Sequence, residues 1–172
     1  TKLRVNNIDI VTNNTVTDWN LKDENVEGVL TIDSENNVNI SSSSETSMWS
    51  DKPTFLHSGP ILLLNRIAQP FENNNWNYVR NPRTGICIMD DDNIKLVTVD
   101  GRFYTSAGMT LPEFQTFLTM FGCKSAINLD GGGSTTMYVY KLGVINEPRD
   151  KPPPGIVGYN NFVTLRKVSN SI

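Results

Sequence analysis

The sequence holds few of the residues that build metal sites, disulfide frameworks or membrane spans. His57 is the only histidine, which excludes sites with several histidines and limits any Ser/His/Asp arrangement to one base. Cys87 and Cys123 each have apolar neighbours, so we expect two small buried side chains rather than a disulfide framework. Apolar runs such as Ile61–Leu64 are far too short to cross a bilayer, so we expect no membrane insertion.

Positive charge is also scarce. The chain has 15 Lys and Arg residues against 18 Asp and Glu residues, which gives a net charge of -3. Because no basic run offers a surface to a phosphate backbone, we expect no nucleic-acid partner. With 172 residues, the chain is long enough for one domain that buries about two thirds of its unfolded surface. We therefore expect residues 1–172 to form a single domain.

Strand-like segments greatly outnumber helical ones. Apolar and β-branched runs between Asp, Asn and Gly turns predict strands at residues 3–11, 27–32, 38–40, 55–65, 85–89, 94–100, 125–130, 135–140, 143–146 and 161–168. The fifth and sixth of these form a predicted hairpin, and residues 69–81 and 152–154 form predicted loops. The pattern indicates an α+β fold with mixed, mainly antiparallel sheets.

One amphipathic helix is predicted at about residues 110–121. Thr110 and Glu113 have the spacing of a capping box, and Gly122 provides a stop. Five apolar residues recur at helical spacing, and we expect them to face the core: Leu111, Phe114, Phe117, Leu118 and Phe121.

The most unusual stretch is NLDGGGSTTMYV, which begins at Asn128. Asp130 ends a predicted strand and is followed by Gly131, Gly132 and Gly133. Each glycine weakens a strand through lost conformational entropy, so three in succession indicate a need beyond the turn. Bare amides in such a run can form an anion-binding concavity beside the Asp130 carboxylate. The alternative is a tight turn in which Asp130 binds its own backbone.

Arginines lie near two other strand ends. In VDGR, Asp100 ends a strand and Arg102 follows, with a guanidinium that can hold a phosphate through two hydrogen bonds. Arg80 and Arg83 precede the predicted hairpin. The alternatives are an Asp-Gly turn with a solvated arginine and surface ion pairs that contribute little. His57 likewise is either a structural residue or a functional one.

Together these motifs resemble the phosphodiester glycosidase family. The resemblance covers roughly residues 55–166 and is carried mainly by DGR from Asp100, SAGMT from Ser106 and NLDGGGS from Asn128. It implies hydrolysis of the anomeric C–O bond of a sugar-1-phosphodiester, with Asp130 and Asp100 as catalytic residues. The residues implied to bind substrate are Arg83, Thr84, Arg102, Ser106, Asn128, Gly131, Gly132, Gly133 and Ser134, to which the HSGP stretch adds His57. Asn146, Pro148 and Asn161 also match family positions.

The implied reaction needs few catalytic groups. Phosphate is a good leaving group, so the remaining work is to stabilise a cationic transition state and to activate water, as carboxylates do in glycosidases. No cofactor is required, and the sequence leaves open whether a divalent cation is bound. The expected partner is a phosphate-linked glycan in an extracellular, cell-surface or virion setting.

One departure from the family concerns the start of the chain. Family members carry an upstream segment with Asn, small residues and paired aromatics, and residues 1–54 contain nothing like it. We therefore expect an N-terminally incomplete domain, with its first strands missing or supplied by other chains of a larger assembly such as a phage virion. Two alternatives stay open: a non-catalytic glycan- or phosphate-binding module, and a structural domain that keeps the glycine turn for folding.

Overall fold

The computed structural model describes residues 3–11, 28–71 and 75–149, which form two five-stranded sheets and one long helix. The first sheet contains β1 (Leu3–Val5), β2 (Ile8–Val11), β3 (Gly28–Ile32), β4 (Val38–Ser42) and β5 (Thr54–Ser58), in the spatial order β2-β1-β5-β3-β4. The second contains β6 (Ile61–Leu64), β7 (Ile67–Ala68), β8 (Arg83–Ile88), β9 (Ile94–Val99) and β10 (Ser125–Asn128), in the order β7-β6-β10-β8-β9. The expected α+β fold is confirmed, and the strand pairs within the described residues are all antiparallel.

The remaining elements are short apart from one helix. They are α1 (Asn75–Tyr78), α2 (Leu111–Met120), a small hairpin of β11 (Tyr138–Val139) and β12 (Gly143–Val144), and 3₁₀ turns at Thr46–Met48 and Gly132–Ser134. Neither α-helix in these ranges is long and apolar enough to cross a membrane.

The fold has three layers, because the two sheets pack face to face and α2 covers the second sheet. The core between the sheets consists of Leu30, Ile40, Leu56, Ile61, Ile86, Ile88 and Ile127. The core under the helix consists of Leu62, Leu63, Cys87, Leu111, Phe114, Leu118, Cys123 and Ala126. The second sheet is therefore apolar on both faces, and its edges and strand ends are the places left for polar chemistry.

The predicted capping box of α2 is present. The Thr110 side chain accepts from the Glu113 amide at 3.2 Å, and the Glu113 carboxylate accepts from the Thr110 amide at 2.9 Å. The Thr110 amide lowers the pKa of Glu113, so the box is retained at neutral pH and lost as the pH falls through that lowered pKa. The prediction that Phe117 and Phe121 face the core is wrong. Their rings are 37% and 45% exposed and stack on each other outside it.

Two strand predictions and one loop prediction differ from the structure. The segment at residues 3–11 is split into β1 and β2, because Asn6 and Asn7 adopt positive φ and turn the chain. In the segment at residues 135–140 only β11 is a strand; the 3₁₀ turn Gly132–Ser134 precedes this segment, and another turn begins at Tyr140. The predicted loop at residues 69–81 contains α1. The predicted strand at 161–168, the loop at 152–154 and Asn161 lie outside the described residues.

The expectation of two unpaired cysteines is wrong, since Cys87 and Cys123 form a disulfide. Cys87 lies in β8, and Cys123 lies between α2 and β10. Both are buried, as expected, but the turn after α2 brings their Cα atoms to 5.5 Å, within disulfide reach. The bond ties the helix to the sheet that it covers.

We expect the disulfide to contribute substantially to stability. It closes a loop with a sequence separation of 36 residues. Chain entropy for such a loop predicts that Cys87→Ala/Cys123→Ala lowers the free energy of unfolding by about 3–4 kcal/mol. Urea denaturation of the variant and of the oxidised chain measures this, and the wild-type chain held reduced should show a similar loss. Equal midpoints for the oxidised and reduced chains would contradict a stabilising bond.

Candidate active site

Three segments that the sequence singles out meet at one end of the second sheet, where β9 and β10 end and β8 begins. We call this margin of strand ends the edge. β8 runs antiparallel to both β9 and β10, so its start lies beside the ends of both neighbours. The register pairs Arg83 with the last residue of β9, and Gly85 with the last residue of β10. Asp100 and Asp130 follow those strand ends closely and are therefore placed at the same edge.

The glycine run packs against the backbone that leads into β8. The Gly132 amide donates to Pro82 O at 2.9 Å, and the Leu129 amide donates to Thr84 O at 2.8 Å. A Cβ atom at Gly131 would lie 2.8 Å from Pro82 O, so a larger residue would force the backbone to move. In this structure the glycines therefore let the protein's own backbone approach the run closely.

The Asp130 carboxylate contacts its own turn. Its Oδ1 accepts from the Gly131 amide at 2.9 Å, which is the contact expected of the turn interpretation, and the side chain is exposed. The Ser134 amide donates to Gly131 O at 3.1 Å. Because the Gly132 amide also has a protein acceptor, a phosphate would have to displace these contacts to use the run as an anion cradle. The binding roles of Gly131, Gly132, buried Gly133 and Ser134 stay predictions.

Arg102 lies against the glycine run. Its Nη1 donates to Arg149 O at 3.1 Å, and its Nη2 donates to Asn81 Oδ1 at 3.0 Å. A Cβ atom at Gly132, which has a φ of +60°, would lie 2.8 Å from that Nη2. The glycine therefore makes room for the guanidinium, and Arg102 supplies positive charge where a phosphate beside the run would need it.

Arg83 occupies a different environment. The side chain is buried, and its Nε and Nη2 donate to the carbonyl oxygens of Met109 and Val79, each at 2.8 Å. Burial lowers the pKa of the Arg83 guanidinium to about 10, so the group remains charged at neutral pH. These contacts fix the loop before β8 and the start of α2, and contact between Arg83 and a phosphate stays a prediction.

Asp100 is held by the segment that follows β12. Its Oδ1 accepts from Asn146 Nδ2 and from the Glu147 amide, both at 3.0 Å. Asn146 also donates to Thr135 O at 3.0 Å and accepts from the Met137 amide at 2.7 Å. Asn146 thus connects one predicted catalytic carboxylate to the chain just beyond the glycine run.

Asn128 links this edge to the first sheet. It is buried, and its Nδ2 donates to Gly59 O at 2.9 Å and to Leu129 O at 2.7 Å. The Ser58 hydroxyl donates to Asn128 O at 3.0 Å. The described contacts of Asn128 therefore fasten the turn between β5 and β6 to the end of β10.

Three further predicted residues are placed as follows. Thr84 Oγ1 lies 3.3 Å from the hydroxyl of buried Thr135, next to the glycine run. Ser106 Oγ donates to Asp100 O at 2.7 Å. His57 packs between the rings of Trp49 and Phe55, on the face of β5 opposite to Ser58. The structure thus brings Thr84 and Ser106 to the site and places His57 in an aromatic cluster.

Asn81 is a site residue that the sequence did not single out. Its backbone exchanges hydrogen bonds with Met109 at 3.2 and 3.0 Å, and its side chain accepts from Arg102. The only local signal is its position before Pro82, which favours extended backbone. Within the described ranges, no group of three or more His, Cys, Asp or Glu side chains could hold a metal ion.

Comparison with known proteins gives a family match and a shared fold. The sequence profile of the phosphodiester glycosidase family matches residues 4–172. The zebrafish N-acetylglucosamine-1-phosphodiester alpha-N-acetylglucosaminidase catalytic domain, solved in a form auto-inhibited by its pro-peptide, shares the fold with a TM-score of 0.66 at 17% identity. That similarity covers 90% of this chain and 52% of the zebrafish chain.

One sequence relative is a prophage-derived protein. The SPbeta prophage-derived uncharacterized protein YomE of Bacillus subtilis (strain 168) is 39% identical over 61 residues, which are 36% of this chain and 10% of YomE. The chain thus spans a small part of that relative and about half of the solved domain.

The hydrogen bonds of Asn146 generate a prediction about pH. Asn146→Asp would face the Asp100 carboxylate and Thr135 O with negative charge, which raises the pKa of one carboxyl in the folded state. Stability should therefore be lost as the pH rises through that raised pKa, so the loss in free energy of unfolding should be greater at pH 7 than at pH 4.5.

The control is Asn146→Ala, which removes the same hydrogen bonds without adding charge. Its loss should be about 1–3 kcal/mol at both pH values. Denaturant unfolding at the two pH values measures both variants. A pH-independent loss for Asn146→Asp would show that its side chain does not meet Asp100.

Proposed function

Because the chain belongs to the phosphodiester glycosidase family, we propose that it hydrolyses the anomeric C–O bond of a sugar-1-phosphodiester. The observation that carries this proposal is the antiparallel register that places Asp100 and Asp130 at one sheet edge, with Arg102 against the glycine run. Carboxylates and a fixed cation at the same strand ends suit the separation of a cationic sugar from an anionic phosphate.

The proposed roles follow from the charge that each group carries. Arg102 neutralises negative charge on the departing phosphate, since its guanidinium lies against Gly132. Asp130 is the exposed carboxylate of the pair and serves the sugar side, by stabilising positive charge or by activating water. Asp100 is oriented by Asn146 and the Glu147 amide, and it completes the sugar side.

The bond that breaks is the anomeric C–O bond and not a P–O bond. Attack of water at phosphorus is typically assisted by a pair of metal ions held by carboxylates and histidines. The described residues offer no such cluster, whereas Asp100 and Asp130 follow neighbouring strand ends and Arg102 lies against Gly132. Attack at the anomeric carbon releases the phosphate intact, and this leaving group needs little protonation.

The proposed substrates are phosphate-linked glycans outside the cell, at a cell surface or on a virion. The zebrafish structure is named for N-acetylglucosamine-1-phosphodiesters, so these esters are the first compounds to test. The Cys87–Cys123 disulfide supports an oxidising environment. The prophage-derived relative supports a virion setting.

A second candidate is a non-catalytic structural module of a larger assembly. The amides of Gly131, Gly132 and Ser134 already have protein acceptors, and the described hydrogen bonds of Arg83 go to backbone carbonyls. Because these amides and this guanidinium are already bonded within the protein, they favour a structural role for the motif. Turnover of a sugar-1-phosphodiester distinguishes the two functions.

The proposal predicts the effect of Asp130→Asn. The amide side chain can still accept from the Gly131 backbone, so the fold and the melting temperature should be retained. It can neither act as a base nor carry charge, so kcat for hydrolysis of N-acetylglucosamine 1-phosphate esters should fall by about a hundredfold or more. The measurements are sugar release and thermal unfolding.

The matched control is Asp92→Asn, which removes another exposed turn aspartate, in the loop between β8 and β9. It should leave kcat unchanged, because this loop joins the strand ends opposite to the site. A folded Asp130→Asn chain with the wild-type rate would assign Asp130 to the turn alone.

A further inference from the structure

We propose that the hairpin of β11 and β12 is a platform for the glycan that the phosphate links to the hydrolysed sugar. The platform is formed by the rings of Tyr138 and Tyr140. This inference rests on the proposed function and goes beyond it, because it assigns a binding surface for the acceptor side of the substrate.

The hairpin exposes far more apolar surface than a solvated turn needs. Tyr138 is 66% exposed and Tyr140 is 78% exposed, and both belong to the same short segment. Leu142 and Ile145 are also exposed. Exposed aromatic and aliphatic side chains so close together in the sequence indicate a binding surface.

The hairpin is rigidly attached to the candidate site. Met137, which precedes β11, donates to Asn146 Oδ1 at 2.7 Å and accepts from the Ile145 amide at 2.9 Å. Asn146 in turn donates to Asp100 at 3.0 Å. Tyr138 thus directly follows Met137, whose backbone is linked through Asn146 to Asp100, a predicted catalytic residue. Strand geometry places the tip of the hairpin only about 10–13 Å further along, the length of two or three sugar rings.

The two tyrosines have the chemistry that a glycan requires. Tyr138 lies in β11 and Tyr140 begins the turn that follows it, so both exposed rings belong to the same end of the hairpin. The flat face of a tyrosine stacks on the C–H face of a sugar ring, while its hydroxyl meets the polar rim. Lys141 Nζ lies 5.5 Å from the Tyr140 ring centroid and adds positive charge toward a phosphorylated glycan.

The test compares two substrates of different length. One is N-acetylglucosamine 1-phosphate methyl ester, and the other is the same sugar phosphate esterified to maltotetraose. Tyr138→Ala/Tyr140→Ala should raise KM for the tetrasaccharide ester by about tenfold and leave KM for the methyl ester unchanged, with kcat unchanged for both. Tyr138→Phe/Tyr140→Phe should retain most of the affinity, because it preserves stacking.

The control is Phe121→Ala, which removes an exposed aromatic ring at the end of α2 farthest from the site. It should leave both KM values unchanged. Binding is measured in parallel by calorimetry on the Asp130→Asn chain, with and without the tyrosine substitutions. If no ester is hydrolysed but the tetrasaccharide ester binds and the tyrosine substitutions weaken it about tenfold, the proposed function fails and the platform stands.

Three results would overturn the platform. One is hydrolysis with equal KM values for the tyrosine variant and the wild type on the tetrasaccharide ester. Another is calorimetric binding that the tyrosine substitutions do not weaken. The third is a wild-type dimer in sedimentation that becomes a monomer in Tyr138→Ala/Tyr140→Ala, because the hairpin would then be an interface between two copies of the chain.

Discussion

The site depends on the backbone of residues 81–84, which leads into β8. This stretch contacts the glycine run, the start of α2 and Arg102. Pro82 O and Thr84 O accept from the chain around the glycine run, and Asn81 exchanges hydrogen bonds with the residue before the capped start of α2. The Asn81 side chain also accepts from Arg102. Moving this short stretch would therefore displace the glycine run, the helix start and the arginine together.

The polar groups at this edge are held in place by hydrogen bonds to the protein itself. Asp100 is held by Asn146 and the Glu147 amide, and Arg102 is held by two protein acceptors. Such preorganisation suits electrostatic stabilisation of a transition state, because little reorganisation is needed when charge develops. Close packing at this edge also explains the glycines. A side chain at Gly131 would collide with Pro82, and one at Gly132 would collide with Arg102.

Local patterns predicted much of the fold, whereas tertiary contacts decided most of the site. The β8–β9 hairpin and the α2 cap were predictable because both depend on neighbouring residues. The Cys87–Cys123 bond was not, because it requires the turn after α2 to return to the sheet. Burial of Arg83 was also hidden, since its partners are carbonyl oxygens, which every residue carries.

We propose that water attacks the anomeric carbon at the edge that carries Asp100 and Asp130. Hydrolysis of N-acetylglucosamine 1-phosphate methyl ester in ¹⁸O-labelled water, followed by mass spectrometry before the sugar exchanges its anomeric oxygen, tests this directly. We expect the label in the released sugar and unlabelled methyl phosphate. Label in the phosphate product would mean that the P–O bond breaks, and it would contradict the account.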